Sequence, residues 1–318
     1  MNTLPYRKVS IQSTQMKEVI LVAGGTGLVG SRLLEMIDYT KYRVNVLSRT
    51  KKSDTKNINY FTWDFKKMEI EDGAVQADYI INLTGAGIAD ARWTDTRKRL
   101  LISSRVESAR LIKKGLEQSG HKPKAYISAS AIGYFGDRGS EKLTEASSVG
   151  KGFMADCCKL WEDSAQELNK LVGRLVINRI GIVLSTKGGA LPKILMTRAF
   201  GIYNYFGSGS QYYSWIHIDD LCRIFLKNIM DDSMSGIYNA VVPKPLTNKT
   251  FTVDIKEALG GIVTLPAPKF GIRLLLGEMA DVVLNSNRVY PNRLADDKFH
   301  YDYSDLGLAT KDLISRKV

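Results

Sequence analysis

Short apolar runs alternate with stretches of helical spacing along most of the chain. Val19-Ile20-Leu21-Val22-Ala23 is an unbroken apolar run, the pattern of a strand buried on both faces in a parallel sheet. Leu28, Val29, Leu33, Leu34 and Ile37 then recur at three-to-four spacing and predict a helix that begins near Leu28. Further strands are predicted at 43–47, 60–64, 78–83, 125–130 and 174–184. A long helix from residue 92 carries Ile102, Val106, Ala109, Ile112 and Leu116 on one stripe, with Gly120 and Pro123 marking its exit. A second helix, at 153–168, aligns Phe153, Cys157, Trp161 and Ala165. Strands that alternate with helices in this way predict an α/β fold, a doubly wound parallel sheet.

Beyond Leu191 the rhythm loosens. Residues 203–215 are dense in Tyr, Gly and Ser, and 237–242 reads as a strand. Leu265-Pro266-Ala267-Pro268, a helix-like stretch at 270–283 and Pro291 describe a smaller lobe. The expected layout is an N-terminal extension at 1–17, a dinucleotide-binding domain at 18–235 and a C-terminal substrate-side lobe at 236–318.

The first strand and helix meet in Gly24, Gly25, Thr26, Gly27, Leu28, Val29 and Gly30, with three glycines spaced by three. Gly24 suits a tight turn, Gly27 lets backbone NH groups approach a pyrophosphate, and Gly30 removes a Cβ where helix and strand pack. The helix N-terminus then supplies an anion site. At the end of the second strand, where an NAD-binding turn has an acid for the ribose 2′-OH, stand Arg49, Lys51 and Lys52. A carboxylate there would repel a 2′-phosphate, whereas a guanidinium binds it with two hydrogen bonds, so the expected cofactor is NADP. The competing view of Arg49 is an ordinary exposed basic loop. Asp64 ends the third strand where such folds touch adenine. Leu83, Thr84 and Gly85 end the fourth, where small residues let the nicotinamide ribose come close. Ser128, Ser130 and Tyr134 follow at the end of the fifth, beside the expected cleft, with Ser128 equally readable as a turn former.

Composition narrows the class. Hydrophobic residues make up 44% and charged residues 25% of the 318, which is ordinary globular usage. No apolar run reaches the roughly 18 residues of a membrane helix, and residues 1–17 hold no secretory apolar core. Three cysteines, Cys157, Cys158 and Cys222, form no paired framework. A cytoplasmic, reducing environment is therefore expected, with no membrane partner. The net charge of +12 is spread along the chain, without an arginine-rich arm or zinc-finger spacing, so no nucleic-acid partner is expected. His121, His217 and His300 are far apart and predict no metal site. Neither HExxH nor G-x-S-x-G occurs, which removes two common hydrolase signatures. The expected partner is a small-molecule substrate of unidentified structure, and self-association into a homo-oligomer is left open.

Several stretches together resemble one family. They are the glycine turn, Asn82-Leu83-Thr84-Gly85, Arg92-Trp93-Thr94, Ser104-Arg105, Ser130-Ala131-Ile132-Gly133-Tyr134-Phe135-Gly136, Trp161-Glu162, Gly207-Ser208-Gly209 with Gln211, and Ser214-Trp215-Ile216-His217. Together they resemble the epimerase-like atypical extended short-chain dehydrogenases/reductases of the NAD-dependent epimerase/dehydratase superfamily. Pro266-Ala267-Pro268, Arg273-Leu274-Leu275-Leu276-Gly277-Glu278 and Val289 with Pro291 resemble the C-terminal domain of unknown function that ends such proteins. The resemblance runs from about residue 18 to the end. It implies a Rossmann domain, NADP binding and a cleft like that of sugar-nucleotide epimerases, with no substrate named.

The wider superfamily uses a Tyr with Lys four residues later on a helix, the lysine lowering the phenol's pKa. None of the 15 tyrosines has Lys at that spacing, and the matching positions hold Phe153 and Cys157. The expected function is an NADP(H)-binding epimerase-like oxidoreductase with Ser130 and Tyr134 as catalytic residues, and His217 or Glu145 as lesser proton donors. The alternative is a non-catalytic NADP(H)-binding protein that acts through a partner.

Overall fold

The computed structural model describes residues 17–316, so the expected extension at 1–17 lies, apart from Lys17, outside the described residues. Eight strands form one central sheet: β1 (Glu18–Ala23), β2 (Tyr42–Ser48), β3 (Ile58–Asp64), β4 (Glu69–Ile70), β5 (Tyr79–Asn82), β6 (Ala125–Ala131), β7 (Arg174–Ile180) and β8 (Gly236–Ala240). Their spatial order is β8-β7-β6-β5-β1-β2-β3-β4. All neighbours run parallel except β4, which turns back along β3. Strand order reverses on either side of β1, which opens a crevice at the carboxyl ends of β1 and β5.

The continuous apolar runs are explained by helices on both faces. Successive side chains of a strand point to opposite sides. Ile20 and Val22 of β1 join Val44, Val46, Ile81 and Ile127 in one core, closed by Leu33 and Ile37 of α1 (Leu28–Met36) and its flank. Leu21 and Ala23 face the other way into a second core with Leu47, Ile80 and Tyr126. That core is closed by Ala109, Ile112 and Leu116 of α2 (Asp95–Ser119) and Ala165 of α3 (Phe153–Gln166). The long helix begins after Thr94, whose hydroxyl accepts the Arg97 N–H, rather than at residue 92, and ends at Gly120 with φ +65°.

Two predicted elements break at glycines. The run 174–184 leaves the central sheet at Gly181, where a Cβ would stand 2.6 Å from the Ser214 carbonyl oxygen. Ile182–Ser185 instead pairs with Trp215–His217, which carries the loop after Ser185 toward the glycine turn. The helix-like stretch 270–283 breaks at Gly277, φ +61°, into Lys269–Leu276 and Asp281–Leu284. β8, assigned from sequence to the C-terminal lobe, is the outer strand of the central sheet, because Gly236–Ala240 pairs along β7.

The lobe itself rests on a two-stranded parallel unit, Ile202–Phe206 beside Val263–Ala267. Arg92 donates to the Leu274 carbonyl at 3.4 Å and Lys98 pairs with Glu278, so Lys269–Leu276 and the turn after it lie over the loop that follows β5. Lys193 donates to the Ala89 carbonyl from the other side. No helix among the described residues is long and apolar enough to cross a membrane.

Candidate functional site

At the end of β1 the chain turns through Gly24, φ +81°, a conformation costly for any residue with a Cβ. A Cβ there would also stand 2.9 Å from the carbonyl carbon of Leu83 on β5. The Gly27 N–H returns to the Gly24 carbonyl at 3.0 Å, and Gly27 caps α1 with no side chain. The first NH groups of α1 therefore lack intrahelical partners and carry the positive end of the helix dipole. A Cβ on Gly30 would lie 2.2 Å from the Gly24 carbonyl oxygen, so only glycine brings α1 this close to the turn. Thr26 and Gly27 form the exposed lip, Gly25 packs beneath against Val46, and Leu28 and Val29 are half-buried.

Beside this turn is a cleft of about 410 Å³. Thr26, Gly27, Leu28 and Ser31 line one wall, and Ser185, Thr186 and Lys187 the other. The break at Gly181 is what brings that second wall over, with Gly188 and Gly189 against the Leu28 side chain. The residues present fit a dinucleotide: the helix N-terminus is uncapped, and the turn is one that a Cβ would fill. The Thr84 hydroxyl on the facing loop adds a buried polar atom without a hydrogen-bond partner.

Arg49 is exposed beyond β2, Lys51 pairs with Glu71 at 3.5 Å, and Lys52 lies over the Tyr60 ring at 5.6 Å. Leu83 extends the pairing of β5, its N–H donating to the Ala23 carbonyl at 2.9 Å, and Thr84 N–H donates to Asn82 Oδ1 at 3.1 Å. Asp64 is engaged locally: Oδ1 accepts the backbone N–H of Lys66 at 2.7 Å and of Lys67 at 3.2 Å, which lowers its pKa. Ser128 is buried and donates to the Ala129 carbonyl at 2.9 Å.

Ser130 is buried as well, in a set of partners that spacing alone did not reveal. Its hydroxyl donates to Glu162 Oε1 at 2.7 Å. Arg179 grips the same carboxylate with Nε and Nη2, each at 2.8 Å. The Arg179 guanidinium also stacks on Tyr134, 3.5 Å from the ring centroid, which holds the ring half-buried at the end of β6. Trp161-Glu162 was visible as a motif, but nothing local tied it to Ser130 or Arg179.

The lesser candidates have other duties. Glu145 Oε1 accepts the Asn239 N–H at 3.2 Å and the Arg293 N–H at 3.4 Å. His217 is fully buried and caps α4 (Ile218–Met230), its Nδ1 accepting the Asp219 N–H at 3.1 Å. The remaining proton is thus on Nε2, 3.3 Å from Asp312 Oδ2, and Tyr303 stacks on the ring. Burial holds the imidazole down to about 4 against the nearby Asp219 carboxylate, which favours the charged form. Asp219 itself, despite burial, is kept far below the usual carboxylate range by Arg32 of α1 and Arg316.

On α3, Phe153 stands edge-on to Trp93, with ring centroids 4.9 Å apart. Cys157 is buried, and burial raises its pKa. No group of three or more His, Cys, Asp or Glu side chains is placed to hold a metal among the described residues.

A parallel sheet with a glycine turn at its switch point defines a dinucleotide-binding Rossmann protein. The NAD dependent epimerase/dehydratase family matches residues 20–240, and a domain of unknown function (DUF1731) matches residues 267–313. The chain belongs to the NAD-dependent epimerase/dehydratase family. An epimerase family protein of Staphylococcus aureus is 36% identical over 299 residues, covering 93% of this chain and 99% of that protein. Among solved structures, the human epimerase family protein SDR39U1 with NADPH superposes with a TM-score of 0.82 at 27% identity, over 93% of this chain and 98% of that one. A nucleoside-diphosphate sugar epimerase from Corynebacterium glutamicum superposes with a TM-score of 0.74 at 29% identity, over 94% of this chain and 58% of that one.

Proposed function

We propose that this NAD(P)-binding protein selects NADP(H) and acts as an oxidoreductase or epimerase on a small carbonyl or hydroxyl substrate. The observation that carries the reading is the pairing of two features: an uncapped α1 N-terminus at the glycine turn, and Arg49 where an NAD-selective site has an acid. The solved human relative with NADPH supports the same preference. The turn binds the pyrophosphate, and Arg49 receives the 2′-phosphate. The nicotinamide, when bound, supplies or accepts hydride. Tyr134, whose ring Arg179 holds in place, exchanges the substrate proton through its hydroxyl. Ser130 keeps the Glu162–Arg179 pair in position beneath that ring.

The family resemblance favours a second reading, a cofactor-binding protein without turnover: by it, Phe153 and Cys157 match the positions of the superfamily's proton-transfer pair. Calorimetry with NADPH and NADH, followed by NADPH absorbance across a panel of ketoses, aldehydes and sugar nucleotides, separates the two. NADPH preference with reduction of any panel member, or with its epimerised product found when NADP is bound, supports the enzyme. NADPH preference with neither reduction nor epimerisation of any member supports the second reading, and equal affinity for the two nucleotides overturns the assignment to NADP(H).

A further inference from the structure

Arg105 is a buried cation with no anion. The residue is 7% exposed, and no carboxylate pairs with it among the described residues. The ionisable groups that face it are Cys157, Cys158 and Arg97, and burial pulls its pKa down. Nη1 donates to the Leu101 carbonyl at 2.8 Å and Nη2 to the Ala86 carbonyl at 3.1 Å. The Trp161 ring lies 4.8 Å from Cζ. Both of these acceptors are neutral backbone carbonyls, so no negative charge balances the guanidinium. A desolvated charge in this state carries a penalty that an apolar side chain of the same size would not.

Its surroundings point to a ligand. The guanidinium lies directly under Gly85, where a Cβ would stand 2.9 Å from Cζ and 3.1 Å from Nη2. The residue before it, Thr84, holds the buried hydroxyl without a partner. The buried cation thus packs against Gly85, the residue after Thr84, at the carboxyl end of β5, where Leu83 and Thr84 lie against Gly24 of the glycine turn. By the family resemblance, Cys157, which faces Arg105, matches the position of the superfamily's lysine on α3.

We propose that Arg105, reaching in from α2, supplies the positive charge at the nicotinamide end of the cofactor site, in place of a lysine from α3. With Thr84 it holds the nicotinamide-ribose hydroxyls. This rests on the reading that the chain binds NADP(H). Arg105 is a binding and positioning residue, and its lost hydrogen bonds are charge-assisted, so their removal is readable as affinity.

The test titrates the full chain with NADPH and with adenosine 2′,5′-bisphosphate, which carries only the adenine end. Arg105→Met should weaken NADPH by about tenfold or more and leave the bisphosphate unchanged. Adding Cys157→Lys to that variant should recover part of the loss, since the charge returns from the neighbouring helix. Thr84→Val keeps the fold's shape and should weaken NADPH severalfold with the bisphosphate again unchanged, which keeps the proposal testable if Arg105→Met does not fold. Equal losses for both ligands, or unchanged NADPH affinity in the variants that fold, overturn it. Wild-type chain that binds neither ligand removes the cofactor reading and this inference with it.

Discussion

The Ser130 hydroxyl and Arg179 Nε meet on one oxygen, Glu162 Oε1, at 2.7 and 2.8 Å. The three side chains are all buried, so this is an ion pair that has lost its water and is completed by a neutral donor. Ser130→Ala removes that donor but leaves both Arg179 contacts, at a cost of about 1–3 kcal/mol. Glu162→Gln leaves Arg179 buried and unpaired, at a cost of about 3–5 kcal/mol. Denaturant unfolding of both variants should rank them in that order. The reverse ranking would place Ser130, not the ion pair, at the centre of the network.

Tyr134→Phe separates packing from chemistry. The ring keeps its stack on Arg179 and loses only the hydroxyl, so the melting temperature should stay near that of the wild type. If that hydroxyl moves the substrate proton, single-turnover NADPH oxidation on a reacting substrate should slow by about 10²- to 10⁴-fold. An unchanged rate would assign proton transfer elsewhere.

Arg49 is exposed, and no carboxylate pairs with it among the described residues, so its removal disturbs no internal pair. A charge-assisted contact of about 1.5–3 kcal/mol predicts that Arg49→Ala weakens NADP roughly 10- to 150-fold with NAD almost unaffected. Titration calorimetry with both nucleotides reads the ratio. A parallel loss for both would show that Arg49 does not contact the 2′-phosphate.

His217 sets a pH dependence. Burial holds its folded pKa at about 4, below the ordinary value of 6.5, so between these values the unfolded chain binds the extra proton. This contribution to stability is complete above about pH 6.5 and falls away as the pH drops toward 4. His217→Asn retains an acceptor for the Asp219 N–H and does not titrate. Thermal melts from pH 7 to pH 4.5 should fall less steeply in the variant; parallel curves would remove His217 from the acid response.

Two glycine-to-alanine changes should have opposite signs. At Gly30 the new methyl meets the Gly24 carbonyl oxygen at 2.2 Å, so α1 must move off the turn, at about 1–3 kcal/mol and with loss of nucleotide binding. At Gly271, inside Lys269–Leu276, a Cβ meets nothing within 4 Å. Helix propensity there favours alanine by about 0.8–1 kcal/mol. Chemical denaturation with an NADPH titration checks both.

Local sequence determined what depends on near neighbours. The apolar runs made strands covered on both faces, the three-to-four spacing made α1, α2 and α3, and Gly30 met a requirement set by Gly24, within seven residues. The same reasoning found the nucleotide turn and placed Arg49 just past β2. Tertiary structure decided what depends on register and on the approach of distant elements. Pairing along β7 put β8 into the sheet, and Gly181 swung the loop after Ser185 against Leu28. Ser130 and Glu162 are 32 residues apart, and only the packing of α3 against β6 brings that donor to that carboxylate. Arg105 is similar: its spacing shows a helix face, whereas its burial without an anion depends on how α2 and α3 close over the loop after β5. The physical reason is range. Backbone propensity and hydrophobic period act over a few residues, while a buried polar group is matched by whatever the finished packing places within about 3 Å of it.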